Sequence, residues 1–139
     1  MALHFHKLTV KDVRKETIDC VSVSFDIPNE LKNDFLFTQG QNITIRSTID
    51  GEEIRRSYSI CTSPSDNELR IAVKKVTDGA FSTFANEKLK VGDMLDIMPP
   101  TGNFFTQINV SNIKNYVFFA AGSGITPVIS IIKTILQVE

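Results

Sequence analysis

The sequence predicts a mainly β fold: a six-stranded antiparallel Greek-key barrel with one short helix, followed by the first strand and helix of an α/β unit. Three observations carry this. Short stretches of alternating apolar and polar residues recur through residues 1–105, each bounded by turn residues. One helical segment interrupts them. After about residue 110 the alternation gives way to a continuous apolar run, a glycine turn and a helical pattern.

The elements follow in order. Leu8, Val10 and Val13 are apolar between polar neighbours, with one slip in the alternation. Val21, Val23 and Phe25 alternate with Ser22, Ser24 and Asp26 until Pro28-Asn29 ends the strand. Ile43 and Ile45 alternate with Thr44 and Arg46, and Asp50-Gly51 is a hairpin turn signal. The fourth strand starts near Glu53 and runs to Cys61. Ser63-Pro64-Ser65-Asp66-Asn67 is a turn, and Leu69, Ile71 and Val73 mark the fifth strand. Phe81 to Leu89 reads as the helix, with Ser82 as N-cap and Phe84 and Leu89 near one face. Val91-Gly92-Asp93 turns into the last strand, Met94 to Met98, which Pro99-Pro100 stops. Short strands with turns between them favour a closed or nearly closed barrel.

Tyr116-Val117-Phe118-Phe119-Ala120-Ala121 fits a strand buried on both faces. A helix is expected over Val128 to Leu136, with Thr126 as cap and Pro127 in its first turn. The chain thus divides into a barrel domain, 1–108, and the start of a second domain, 109–139. A complete doubly wound domain needs on the order of 100 residues, so the second reads as truncated. Its exposed strand and helix would favour dimerisation.

Composition narrows the function. Acidic and basic residues number 16 and 15, which argues against a nucleic-acid binder. No apolar window is long enough for a membrane span, and the start Met1 to Lys7 lacks the form of a secretory signal. The cytoplasm is the expected compartment. The two cysteines, Cys20 and Cys61, make neither a disulfide framework nor a metal site, and a plant-type iron–sulfur cluster needs four. No metal ligands are expected. Cys61 reads as a buried strand residue, His4 and His6 as surface residues, Glu52-Glu53 as a solvated hairpin edge, and Met94 and Met98 as barrel core or rim.

Three segments could carry chemistry. In Arg55-Arg56-Ser57-Tyr58-Ser59-Ile60, strand alternation puts Arg56 and Tyr58 on one face, about 7 Å apart. A guanidinium pairs with phosphate oxygens, and a phenol ring can lie on a flat aromatic ligand. Alone, this is more simply a hairpin with a solvated arginine. In Asp78-Gly79-Ala80-Phe81-Ser82-Thr83 a glycine turn meets a helix start, where free N–H groups favour an anion; alone, this is more simply an ordinary capped helix. Gly122-Ser123-Gly124-Ile125-Thr126-Pro127 joins an apolar run to a helical pattern, the context a dinucleotide-binding turn requires. It is equally a tight turn without a ligand.

Together and in this order, the three segments resemble the ferredoxin–NADP reductase superfamily. Arg56-Ser57-Tyr58-Ser59 matches its Arg-x-Tyr-Ser motif, Gly79-Ala80-Phe81-Ser82 its Gly-x-x-Ser loop, and Gly122 to Pro127 its Gly-x-Gly-x-x-Pro turn. Leu89 to Asp93 and Pro99 to Phe104 are also similar to the family's last barrel strand. Within the superfamily, His6 to Val10, Asp50 to Cys61 and Phe81 to Asn86 resemble the reductase components of bacterial phenylacetyl-CoA epoxidases.

The resemblance implies a flavin-binding barrel and a set of roles. Arg56 would hold the flavin phosphate, Tyr58 would stack on the isoalloxazine, and Ser59 would lie near its reactive nitrogen, with Ser57 beside them. Val73 and Lys74 would line the ring or its side chain through the backbone. Gly79, Phe81, Ser82 and Thr83 would take the pyrophosphate, and Gly122, Gly124, Thr126 and Pro127 would begin a nicotinamide site. It implies FAD, with FMN as the alternative, and NAD(P)H in the full-length protein. A 2Fe–2S centre is expected only in a domain this chain lacks. The electron acceptor would be an iron–sulfur centre and then an oxygenase, in phenylacetate degradation. A chain of this extent would bind flavin but lack full turnover. The competing reading is a non-catalytic barrel adaptor for protein binding or electron transfer.

Overall fold

Alternation of side chains along each strand decides which face of the sheet is buried. The computed structural model describes residues 4–139, so Met1 to Leu3 of the expected leader-free start lie outside the described residues. Six strands form: β1 (His6–Thr17), β2 (Cys20–Asp26), β3 (Asn42–Ile49), β4 (Glu52–Ser59), β5 (Arg70–Lys74) and β6 (Met94–Ile97). Helix α1 (Ala80–Glu87) joins β5 to β6, and helix α2 (Ile125–Val138) ends the chain. The strands lie in the order β4-β3-β6-β1-β2-β5, and all pairs are antiparallel. An antiparallel bridge between Ile60 and Ile71 joins the two ends and closes the barrel. With β4 beside β5, strands β3, β4 and β5 follow one another and β6 returns beside β3, which is the Greek-key order.

The apolar member of each alternating pair faces inward. Val21, Val23, Phe25, Ile43, Ile45, Ile71, Val73, Leu95 and Ile97 form the core, and Phe81, Ala85 and Leu89 cover one end of it. The slip in β1 is a bulge: its pairing with β2 shifts register between Val10 and Asp12, so Val10 and Val13 both reach the core side. The β3–β4 turn puts Asp50 and Gly51 at φ 50° and 82°, the doubly positive form that suits a right-twisted hairpin.

The outward face of β2 is also covered. Ser22 and Ser24 lie under Arg70, which donates to Ser22 Oγ (2.8 Å), Asp12 Oδ2 (2.6 Å), Glu68 Oε1 (2.8 Å) and Ser24 Oγ (3.3 Å). A buried guanidinium persists only where such partners replace water.

The second unit differs from expectation. Residues 112–121 form no strand, and Val117 and Phe119 are 77% and 92% exposed. A central strand of a parallel sheet needs neighbours on both edges, and none among the described residues pairs with this segment. The helix, by contrast, is not exposed as a whole. Val128, Ser130, Ile131 and Thr134 are buried against the barrel, Ser130 Oγ donates to Thr62 O (2.6 Å), and Lys133 pairs with Asp66. It begins at Ile125, earlier than the spacing suggested, with Gly124 rather than Thr126 as cap; Thr126 Oγ1 donates to Ser123 O instead (2.8 Å). Helix α1 likewise begins at Ala80 with Gly79 as cap, so Ser82 sits inside the first turn. Met94 is 56% exposed and belongs to the rim, and His6 is half-buried, edge-on to Phe35 with centroids 5.8 Å apart. No helix among the described residues is long and apolar enough to cross a membrane.

Candidate functional site

The barrel opens where β4 and β5 part. Ile60 bridges Ile71 and the Cys61 N–H donates to Arg70 O (2.9 Å); among the described residues neither strand pairs with the other beyond that point. Two main-chain edges therefore flank a cleft of about 590 Å³, within the range of about 300–1,000 Å³ typical of small-molecule sites.

One wall is β4, with Arg56, Ser57, Tyr58 and Ser59. The Tyr58 ring packs 5.7 Å from Phe81 at a tilt of 43°, so one face rests on the core and burial raises its phenol above the usual range. Arg56 is exposed, donates to Arg55 O (2.8 Å) and pairs with no carboxylate among the described residues. Arg56 and Tyr58 stand opposite Ile45 and Ile43 of β3, on one face of the β3–β4 pair, and both line the cleft.

The second wall is the start of α1. Its first N–H groups, at Ala80, Phe81 and Ser82, have no helical acceptor and no side-chain cap. Gly79 is required here by close packing: a Cβ would lie 2.3 Å from Ser82 Oγ and 2.5 Å from Val76 Cγ2. The Ser82 hydroxyl accepts from the Val76 N–H (3.2 Å) and donates to Gly79 O (3.3 Å), so it braces the turn. The third wall is Gly122, Ser123, Ile125 and Thr126. Gly122 has φ 56°, and a Cβ at Gly122 or Gly124 would meet nothing within 4 Å.

Four expected residues, Val73, Thr83, Gly124 and Pro127, are not in the cleft lining. The Val73 side chain is fully buried in the core, Thr83 faces a neighbouring depression, and Pro127 follows the lining residues in the first turn of α2. Gly124 caps α2 between lining residues Ser123 and Ile125. Lys74 lines the cleft from β5 beside Ala72. The floor was not anticipated. Thr17, Asp19 and Cys20 come from the β1–β2 hairpin, where Asp19 O accepts from the Lys75 N–H (2.6 Å). Pairing of β2 with β5, distant in sequence, brings that hairpin to the cleft, so no local pattern signals it. Burial raises the Cys20 thiol and pushes Cys61 up to about 11, which suits neither to act as a nucleophile. No group of three or more metal-ligating side chains occurs among the described residues.

An unpaired guanidinium, free helix-start N–H groups, a tyrosine ring and two open strand edges form a donor set for a flat ligand carrying phosphate. The oxidoreductase FAD-binding domain family matches residues 7–106. The chain belongs to that family.

Relatives of this FAD-binding domain include a component of 1,2-phenylacetyl-CoA epoxidase from Escherichia coli (strain K12), 44% identical over 135 residues. That match covers 97% of this chain and 38% of the relative. The ferredoxin reductase component of 3-ketosteroid-9-alpha-monooxygenase from Rhodococcus rhodochrous is 38% identical, over 93% of this chain and 36% of its own. The FAD-binding domain thus spans little more than a third of these relatives. Among solved structures, ferredoxin-NADP+ reductase from Plasmodium falciparum has a TM-score of 0.74 at 26% identity, covering 94% of this chain and 52% of its own. The FAD/NAD-binding domain of nitric oxide dioxygenase from Vibrio cholerae has a TM-score of 0.75 at 24% identity, over 96% and 58%. These likenesses agree with the superfamily resemblance read from the motifs.

Proposed function

We propose that this chain is the flavin-holding part of a nicotinamide-dependent reductase that delivers electrons to an oxygenase through an iron–sulfur centre. The reading extends to the reductase of a phenylacetyl-CoA epoxidase acting in the cytoplasm. What supports it is one observation: three segments distant in sequence, at Arg56–Ser59, Gly79–Ser82 and Gly122–Thr126, line a single cleft. Likeness to an epoxidase component over 97% of the chain supports the narrower assignment.

In this reading Tyr58 supports one face of the isoalloxazine, and its packing on Phe81 fixes the plane on which the ring rests. Ser59 stands beside the ring where the β4 edge is open, and the main chain of Ala72 and Lys74 borders the opposite edge. Arg56 and the N–H groups of residues 80–82 hold the phosphates, which favours FAD over FMN. Gly122 to Thr126 close the far side and begin the nicotinamide site. When bound, the flavin supplies the redox chemistry, taking up electrons in a pair and releasing them singly. The protein holds the ring and excludes water.

The test is the absorbance spectrum of the purified chain after incubation with FAD or FMN. A bound flavin spectrum that Tyr58→Ala alters or abolishes is expected. A colourless protein that takes up neither flavin overturns the reading and favours the adaptor instead.

A further inference from the structure

We infer that Asn86 is a positioning residue that aims the start of α1 at the ligand's phosphate tail. The inference rests on the flavin reading above and adds a residue outside the cleft lining.

Asn86 is the penultimate residue of α1, one turn after the motif residue Ser82. Its Nδ2 donates to two carbonyls, Val73 O in β5 (2.9 Å) and Ser82 O in α1 (2.8 Å). Only the amide nitrogen can face two carbonyls, so the orientation of the group is fixed. Its Oδ1 is buried and has no partner among the described residues. A buried acceptor without a donor is costly, and a residue kept for packing alone would not carry one. The amide is in place for its two donors.

Those donors act at a specific point. Beyond the Ile60–Ile71 bridge, β5 has no partner strand on the cleft side. The main-chain groups of Ala72 and Lys74 face the cleft, and the Val73 carbonyl between them turns the other way, toward its partner Val21 in β2. Asn86 adds a side-chain bond to that ladder carbonyl and ties it to Ser82, whose hydroxyl in turn braces Val76 and Gly79. One side chain thus locks the helix start to the strand that borders the ring.

The Ser82 proton is already directed at Gly79 O, so that hydroxyl has no donor left for a phosphate oxygen. Anion binding at this wall falls to the main-chain N–H groups of Ala80, Phe81 and Ser82, whose direction follows the helix axis. A tilt of α1 weakens those contacts first, because Tyr58 is carried on β4 and meets α1 only through the Phe81 ring.

The experiment compares FAD with riboflavin, which lacks phosphate, on the full chain by fluorescence titration. Asn86→Ala removes the donors, and Asn86→Asp replaces them with an acceptor of the same shape. Both variants are expected to weaken FAD by about tenfold or more while riboflavin changes by less than about threefold. Without ligand, exchange of the hydrogen-bonded α1 amides from Thr83 onward accelerates and that of the β1 and β2 core does not. Unchanged FAD affinity, or an equal loss for both ligands, overturns the inference and leaves the flavin reading standing. A wild-type chain that binds neither ligand overturns both.

Discussion

Ile60 faces Ile71 across the seam of the barrel, immediately before β4 and β5 part to frame the cleft. Both side chains are fully buried. The pair therefore does two things: it closes the sheet and sets the point from which the cleft opens.

Truncating that seam should cost stability first. Ile60→Ala removes a buried aliphatic side chain in a closely packed site, a change worth about 2–5 kcal/mol. The urea midpoint should fall accordingly, with the slope of the transition unchanged. A midpoint equal to wild type would mean that the seam does not hold the barrel shut.

The unpaired Arg56 predicts a ligand-specific effect. Arg56→Gln keeps length and polarity but removes the charge. Hydrogen bonds to charged groups contribute about 1.5–3 kcal/mol, so FAD should bind about 10- to 100-fold more weakly, and the salt dependence of binding should shrink. Titrations at two salt concentrations measure both quantities.

Gly79→Ala should act at the same wall by a different cause. The added Cβ would lie 2.3 Å from Ser82 Oγ and 2.5 Å from Val76 Cγ2, so the Ser82 brace or the turn itself must shift. Flavin binding should weaken while the core, which α1 only caps, keeps its cooperative unfolding. Circular dichroism melts beside the flavin titration separate the two outcomes.

The docking of α2 predicts a dependence on acid. Burial would raise the Asp66 carboxyl, but hydrogen bonds from Lys133, the Ser63 N–H and Gln137 outweigh it and hold it at about 2. A folded-state value below the usual 3.8 means the contribution is complete above about pH 4 and is lost as pH falls through about 2. Wild type should lose stability across that window, and Asp66→Asn should remove this component of the loss. Urea midpoints measured from pH 5 to pH 2 give the comparison.

Deleting residues 112–139 tests the division of the chain at residue 108. The barrel closes without that segment, so a folded domain should remain, at a lower urea midpoint because the Ser130–Thr62 and Lys133–Asp66 contacts are gone. Loss of cooperative unfolding would make α2 an integral part of the barrel.

Local pattern was sufficient for the strands, because the apolar period of two is the same quantity that the core imposes: Val21, Val23 and Phe25 point inward as their spacing requires. It was sufficient for the Asp50-Gly51 turn, since that dipeptide tolerates positive φ at both centres. It misplaced Tyr116–Ala121, where an apolar run is necessary for a buried strand but pairing partners supply the hydrogen bonds. It also took Ser82 for a cap, when the helix begins two residues earlier and the hydroxyl braces the preceding turn.

The amino-acid order by itself determined the barrel class, the inward faces of its strands and the three motif segments at Arg56–Ser59, Gly79–Ser82 and Gly122–Pro127, because each depends on neighbours only a few residues away. Closure at Ile60–Ile71, the arrival of the β1–β2 hairpin beneath the cleft and the two-carbonyl bridge from Asn86 were decided only by the tertiary structure. Those features join residues far apart along the chain, and strand order, which no local periodicity encodes, is what brings them into contact.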